Sequence, residues 1–102
     1  MVVLDATSGR EVAALSCVQN ADDAYFDAAR KRIYIPGGEG YISVFQQKDA
    51  DHYELLSRVS SAIGGRTAAY SRKGRKGLDH FYLDVPARAA EGAELLIYTV
   101  QD

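Results

Sequence analysis

Short runs in which apolar and polar residues alternate make up much of this chain, and glycine, proline or polar residues separate them. Residues 41–46 show the alternation clearly, with Ile42 and Val44 on one face and Tyr41, Ser43 and Phe45 on the other. A period of two is the pattern of a β-strand. The pattern predicts strands over residues 2–5, 10–15, 23–27, 32–36, 41–46, 53–59, 66–71, 79–85 and 94–100.

Turn signals separate these predicted strands. Residues 36–40 (Pro-Gly-Gly-Glu-Gly) are the strongest of them, because proline and glycine end strands and permit tight turns. Further turns are expected over residues 48–51 and over the basic segment 72–78, with a loop over residues 87–93. Alanine-rich residues 21–32 and 87–96 allow a helical alternative. Both segments lie beside glycine or proline and lack an apolar stripe at helical spacing, so strands are favoured.

The middle and the end of the chain carry the same pattern. Residues 23–27, 33–35 and 42–45 recur in order as residues 67–71, 81–83 and 95–98. The offset grows from 44 residues between Asp23 and Thr67 to 53 between Ile42 and Leu95, and the additional residues fall in predicted turns. A period of about 40–50 residues built from short strands is typical of β-propeller blades. The sequence therefore predicts an all-β fold of about two four-stranded antiparallel propeller blades.

The strand order predicts incomplete blades at both ends of the chain. With the strands of a blade named A to D from the centre outwards, residues 1–19 supply C and D of one blade and residues 20–60 supply a full blade. Residues 61–102 supply A to C of a terminal blade. An unpaired last strand invites association. We expect residues 10–15 of one copy to complete the last blade of another, which gives a ring of copies; an irregular dimer and a piece of a longer propeller are the alternatives.

Composition excludes several classes of function. A net charge of −2 gives no electrostatic footprint for nucleic acid or an anionic membrane, and the basic run at 72–76 is expected to be a solvated turn. The apolar stretches are too short to span a membrane, and the N-terminus lacks a signal-peptide pattern. Cys17 is the only cysteine, so no internal disulfide or cysteine metal cluster forms. One thiol does not define a compartment.

Charged residues cluster where the chain begins the innermost strands. Asp22 and Asp23 occupy the same repeat positions as Arg66 and Thr67, which in a propeller ring the mouth of the central channel. Opposite charges on neighbouring blades favour a structural salt bridge there, with a small polar ligand site as the alternative. Glu39, in the glycine-rich turn, is expected to open on the same face. The candidate ligand-binding residues are therefore Asp22, Asp23, Glu39, Arg66 and Thr67.

No catalytic constellation is visible in the sequence. The glycine-rich turn lacks the Lys-Ser/Thr pair of a phosphate loop, and no Gly-x-Ser-x-Gly elbow is present. His52 and His80 are the only histidines and lack metal-ligand spacing; His80 is expected on a semi-exposed strand face. We therefore predict no catalytic residue, no metal ligand and no cofactor.

Several segments resemble the last blades of YVTN-type β-propellers, a group of bacterial, often exported, quinoprotein-like proteins. The resemblance rests on residues 20–27, 32–35, 37–45 and 65–67, and on the ending over residues 81–88 and 94–98. It implies a seven-bladed fold and little chemistry, since most such proteins have no assigned activity. Asp84 departs from the family pattern, which favours a small apolar residue at that position.

Three functional hypotheses follow from these observations. The first is a non-catalytic binding or protein-interaction scaffold, whose partner is a second copy or the remaining blades of a parent propeller. The second is a piece of a lactonase- or quinoprotein-like propeller enzyme that uses the channel-facing acids Asp22, Asp23 and Glu39. The third is an excised or engineered piece without a function of its own.

Overall fold

The computed structural model describes residues 1–73, 78–88 and 91–101. The described residues contain nine strands and no helix, which confirms the all-β prediction. The helical alternative is wrong for the described parts of residues 21–32 and 87–96. The strands are β1 (Val2–Leu4), β2 (Glu11–Ala14), β3 (Tyr25–Asp27), β4 (Arg32–Gly37), β5 (Tyr41–Asp49), β6 (His52–Ser60), β7 (Thr67–Ser71), β8 (His80–Val85) and β9 (Glu94–Thr99).

The strands form three antiparallel sheets in chain order. Sheet 1 contains β1 and β2, sheet 2 has the order β3-β4-β5-β6, and sheet 3 has the order β7-β8-β9. The turn between β5 and β6 is shorter than predicted, because Asp49 and His52 still pair in the ladder. The Asp49 carboxylate accepts the Asp51 N–H at 2.9 Å, which closes the turn locally. Of the basic turn predicted over 72–78, residues 74–77 lie outside the described residues, as do residues 89–90 of the loop over 87–93.

Sheet 2 is the middle layer; its central strands β4 and β5 are largely buried on both faces, whereas most of β6 is exposed. Ile42 and Val44 pack with Phe81 of sheet 3, whereas Phe45 packs with Val18 and other residues on the side of sheet 1. The alternation predicted for residues 41–46 is therefore confirmed, although both faces are apolar rather than one. Since successive strand side chains point to opposite faces, one strand supplies two hydrophobic cores. Phe45 is completely buried.

Glycines fix the end of sheet 2 at which the candidate residues lie. Gly40 closes the turn between β4 and β5 at φ 121°, a conformation that side chains with a Cβ rarely adopt. Gly37 lies against the segment before β3: a Cβ there would stand 2.5 Å from the Gln19 carbonyl oxygen and from a Val18 methyl group. Gly37 also forms a β-bridge with Ala21. The glycine-rich turn therefore holds the approach to β3 in place.

The two outer sheets leave apolar side chains uncovered among the described residues. Val2 and Leu4 of sheet 1 are each 59 % exposed. On β9, Leu95 and Ile97 are 60 % and 59 % exposed, and they pair across the ladder with Asp84 and Tyr82 on β8. Asp84 is also exposed, so water solvates this acid in a central strand. In the described part of the chain, no strand pairs with the outer edge of β9.

Candidate functional site

The predicted channel-mouth residues lie where sheet 2 meets sheet 3. Asp22 and Arg66 form an ion pair, with 3.1 Å between the Asp22 Oδ2 and Arg66 Nε atoms, and both side chains are more than half exposed. An exposed pair of this kind contributes about 0–1 kcal/mol to stability. Thr67 begins β7, is exposed, and pairs with Asp84 in the ladder.

Asp23 joins the two sheets through the backbone. Its Oδ2 accepts the N–H of Ala68 at 3.0 Å, and the Tyr25 hydroxyl donates to the carbonyl oxygen of Ala68. Desolvation, with a further contribution from the Asp23 carboxylate, raises the pKa of Tyr25 above its usual value. The backbone N–H and carbonyl of Ala68 are therefore both hydrogen-bonded to side chains of sheet 2, the first to Asp23 just before β3 and the second to Tyr25 at the start of β3.

Glu39 is held separately from these residues. Its Oε1 accepts the N–H of Gln19 at 3.1 Å, and the neighbouring Gly38 N–H donates to the Asn20 carbonyl at 3.0 Å. The structure thus brings Asp22, Asp23 and Arg66 to one junction. It uses Glu39 to fasten its own turn to the segment before β3.

A buried polar network that the sequence reasoning missed lies deeper between sheets 2 and 3. The Asp27 Oδ2 accepts hydrogen bonds from Arg30 Nη1 and from the Tyr70 hydroxyl, each at 3.0 Å. The same Arg30 nitrogen lies 2.8 Å from Asp79 Oδ2, and the Tyr70 hydroxyl lies 3.0 Å from that oxygen. Tyr70 also stacks on Tyr34, with 5.7 Å between the ring centroids. We call Asp27, Arg30, Tyr70 and Asp79 the inter-sheet network.

Electrostatics in the inter-sheet network favour two ionised acids and a neutral phenol. Burial raises the pKa of Asp27, but hydrogen bonds from Arg30 and Tyr70 outweigh it, and the net pKa lies below the usual value. The backbone N–H of Lys73, followed by Arg30, lowers the pKa of Asp79 to about 2. Burial, followed by the adjoining Asp79 and Asp27 carboxylates, raises the pKa of Tyr70 well above its usual value. Each member has a partner inside the chain, so the network is suited to holding two sheets together.

One signal for the network was present in the sequence. Asp27 ends a strand directly before a turn, where aspartate commonly accepts backbone N–H groups. In the structure its Oδ1 accepts the N–H groups of Ala29 at 3.1 Å and Arg30 at 3.3 Å. Asp79 lies 49 residues from Arg30, and only the folded chain brings them together.

A groove of about 310 Å³ opens between the outer strands of sheets 2 and 3. The Tyr98 hydroxyl joins its two walls by donating to the Ser60 carbonyl at 2.9 Å. Leu56 on the β6 wall is 46 % exposed, because no described strand of sheet 3 lies opposite it. Most of the lining is apolar and comes from β4, β5, β6, β8, β9 and the residues after β9: Tyr34, Ile42, Val44, Leu56, Val59, Phe81, Tyr98 and Val100.

Arg32 contributes a cation to this groove. Its Nη1 donates to the Gln101 carbonyl, and its Nε atom is buried with no hydrogen-bond partner among the described residues. Arg32 also lies beside Tyr34, whose pKa is raised by burial and lowered in part by this arginine. A buried cationic N–H without an acceptor is costly. The groove is therefore apolar along most of its lining, with Arg32 as a cationic residue in its wall.

The two histidines have different surroundings. His52 is exposed, with its Nδ1 2.7 Å from Asp49 Oδ1, and the hydrogen bond to Asp49 raises the pKa of His52. His80 is only 7 % exposed, so the expected semi-exposed position is wrong. It lies on the central strand of sheet 3, paired with Ser71 and Thr99 on either side. Among residues 1–73, 78–88 and 91–101, no three His, Cys, Asp or Glu side chains are arranged to hold a metal ion.

Comparison with known proteins gives no further guide to the site. No protein-family model matches this chain, and no curated protein or solved structure is significantly similar to it. The described residues include no helix that is both long and apolar enough to cross a membrane.

Proposed function

We propose that this chain is a non-catalytic β-propeller repeat module of the YVTN type that acts as a protein-interaction scaffold. Sheets 1, 2 and 3 would correspond to strands C-D, A-B-C-D and A-B-C of three successive blades. The partner is a second copy of the chain or the remaining blades of a longer propeller. The observation that supports the proposal is a four-stranded sheet between a two-stranded and a three-stranded sheet, each of which exposes apolar side chains.

The middle sheet indicates what a complete unit of this repeat looks like. Sheet 2 has four strands, and its central strands β4 and β5 pack on one side towards sheet 1 and on the other towards sheet 3. Sheet 3 repeats its first three strands and leaves the outer edge of β9 without a described partner. An unpaired edge beside exposed Leu95 and Ile97 favours association with another polypeptide segment.

The candidate polar residues fit a scaffold better than an enzyme. Asp22 is paired with Arg66, and Asp23 and Glu39 accept backbone N–H groups of the same chain. These contacts position the junction between two sheets. No specific observation favours the propeller-enzyme alternative.

Hydrogen–deuterium exchange at low and high chain concentration tests the proposal. If a partner strand completes sheet 3, backbone amides of β9 (Glu94–Thr99) become protected as concentration rises. Amides of β6 (His52–Ser60), the outermost strand of the complete sheet, serve as the internal control and should change less. Exchange in β9 that is independent of concentration would show that its edge does not take part in association.

A further inference from the structure

The groove between β6 and β9 lies beside the edge of β9 that has no described partner strand. A polypeptide strand bound in the groove could therefore also pair with β9. A strand that paired with β9 would satisfy its free backbone groups and direct alternate side chains into the groove. Leu56, Val59 and Val100 lie along the groove and would contact those side chains. Apolar residues at alternate positions of the partner segment are therefore required.

Sheet 1 provides a precedent within the chain. There β2 contacts β6 on the side of sheet 2 that faces sheet 1. On the side that faces sheet 3, β9 meets one end of β6 through the Tyr98–Ser60 hydrogen bond, and Leu56 farther along β6 is exposed. A segment bound along β9 would take up the corresponding position on that second side.

The cation of Arg32 favours a negatively charged residue in the bound segment. Arg32 lines the groove, and its Nη1 donates to the Gln101 carbonyl, just beyond the C-terminal end of β9. All three sheets are antiparallel, so an added strand is expected to run antiparallel to β9. The N-terminal end of that strand would then lie beside Arg32.

We propose that the β6–β9 groove binds an extended peptide segment that carries an acidic residue near its N-terminal end and apolar residues at alternate positions after it. The acid accepts a hydrogen bond from Arg32, the apolar side chains fill the groove, and the backbone pairs with β9. This inference rests on the proposed scaffold function and names the chemistry of the segment that completes sheet 3.

A peptide with the sequence of residues 10–15, acetylated and amidated, has this pattern and serves as the probe. Glu11 lies near its N-terminus, and Ala13 and Leu15 follow at alternate positions on the same face of an extended strand. Dilute, ¹⁵N-labelled chain is titrated with the peptide, and the dissociation constant and the shift of the Arg32 Nε–H signal are measured. The comparison peptide carries Glu11→Gln, which alters no residue of the chain and so cannot affect its folding.

The acidic peptide should bind about tenfold or more tightly than the glutamine peptide, as expected for a charge-assisted hydrogen bond. An Arg32→Gln chain should lose that preference, whereas Arg58→Gln should keep it, because Arg58 stacks on Tyr41 of the opposite face. Equal affinity for the two peptides would overturn the role of Arg32 while leaving strand addition intact. Absence of peptide binding would overturn the groove assignment, even if β9 gains protection when the chain associates.

Discussion

Replacement of Asp27 by asparagine tests the inter-sheet network directly. The Asp27 side chain is buried, with the residue 1 % exposed, and accepts hydrogen bonds from Arg30, Tyr70 and two backbone N–H groups. Asparagine keeps the shape but removes the charge and presents an N–H₂ group to these donors. Arg30 retains Asp79 at 2.8 Å, so its cation is not left without a carboxylate. The loss should therefore correspond to one charge-assisted hydrogen bond, about 2–3 kcal/mol, rather than to a fully broken buried pair.

Urea unfolding followed by circular dichroism measures this loss at a fixed chain concentration, since association would alter the apparent stability. Asp49→Asn is the matched control. Asp49 also has a lowered pKa, mainly from the Asp51 backbone N–H, but its side chain is 62 % exposed. The control should lie within about 0.5 kcal/mol of the wild-type chain. If Asp27→Asn were no more destabilising than Asp49→Asn, the network would not hold the sheets together.

Three further predictions concern acid sensitivity and packing. The folded pKa of Asp79 is about 2, so the stability that its ionised form contributes is complete above pH ~4 and is lost as the pH falls towards 2. The Asp79→Asn variant should therefore lose less stability than the wild-type chain over that pH window, which acid unfolding measures. Gly37→Ala places a Cβ 2.5 Å from the Gln19 carbonyl oxygen and a Val18 methyl group and should lower the free energy of unfolding in urea by about 1–3 kcal/mol. The control Gly92→Ala places a Cβ that meets nothing within 4 Å. Equal effects of the two variants would contradict the close contact of Gly37 with residues 18 and 19. Phe45→Ala should cost about 3–5 kcal/mol by the same assay, and Phe26→Ala, at a residue 56 % exposed, far less; similar losses would mean that Phe45 is not the core of the middle sheet.

Local patterns in the sequence were sufficient to predict the strands. The alternation over residues 41–46 and the glycine-rich turn before it are properties of neighbouring residues, and both match the structure. The strand ends were less predictable. The pairing of Asp49 with His52 lengthens β5 and β6, and it depends on how the turn closes.

The sequence predicted the ion pair at the candidate site from positions that are equivalent in the two repeats. Asp22 and Arg66 occupy such equivalent positions, and in the structure they form an ion pair. The inter-sheet network could not be found in that way, because Asp79 lies at the end of the segment between β7 and β8, whose length differs from that of its counterpart in the first repeat. The proposed anionic preference of the groove depends on Arg32 lying in the same groove as Tyr98 and Val100, which a sequence pattern does not reveal.

Light scattering of the purified chain over a range of concentrations gives its native mass and so tests whether the outer edge of β9 and the exposed faces of sheets 1 and 3 associate with other polypeptide. We expect species larger than the 11.1 kDa chain, with a discrete multiple of that mass if copies close into a ring. A single species of 11.1 kDa at every concentration would contradict association between copies and would leave the remaining blades of a longer propeller as the partner.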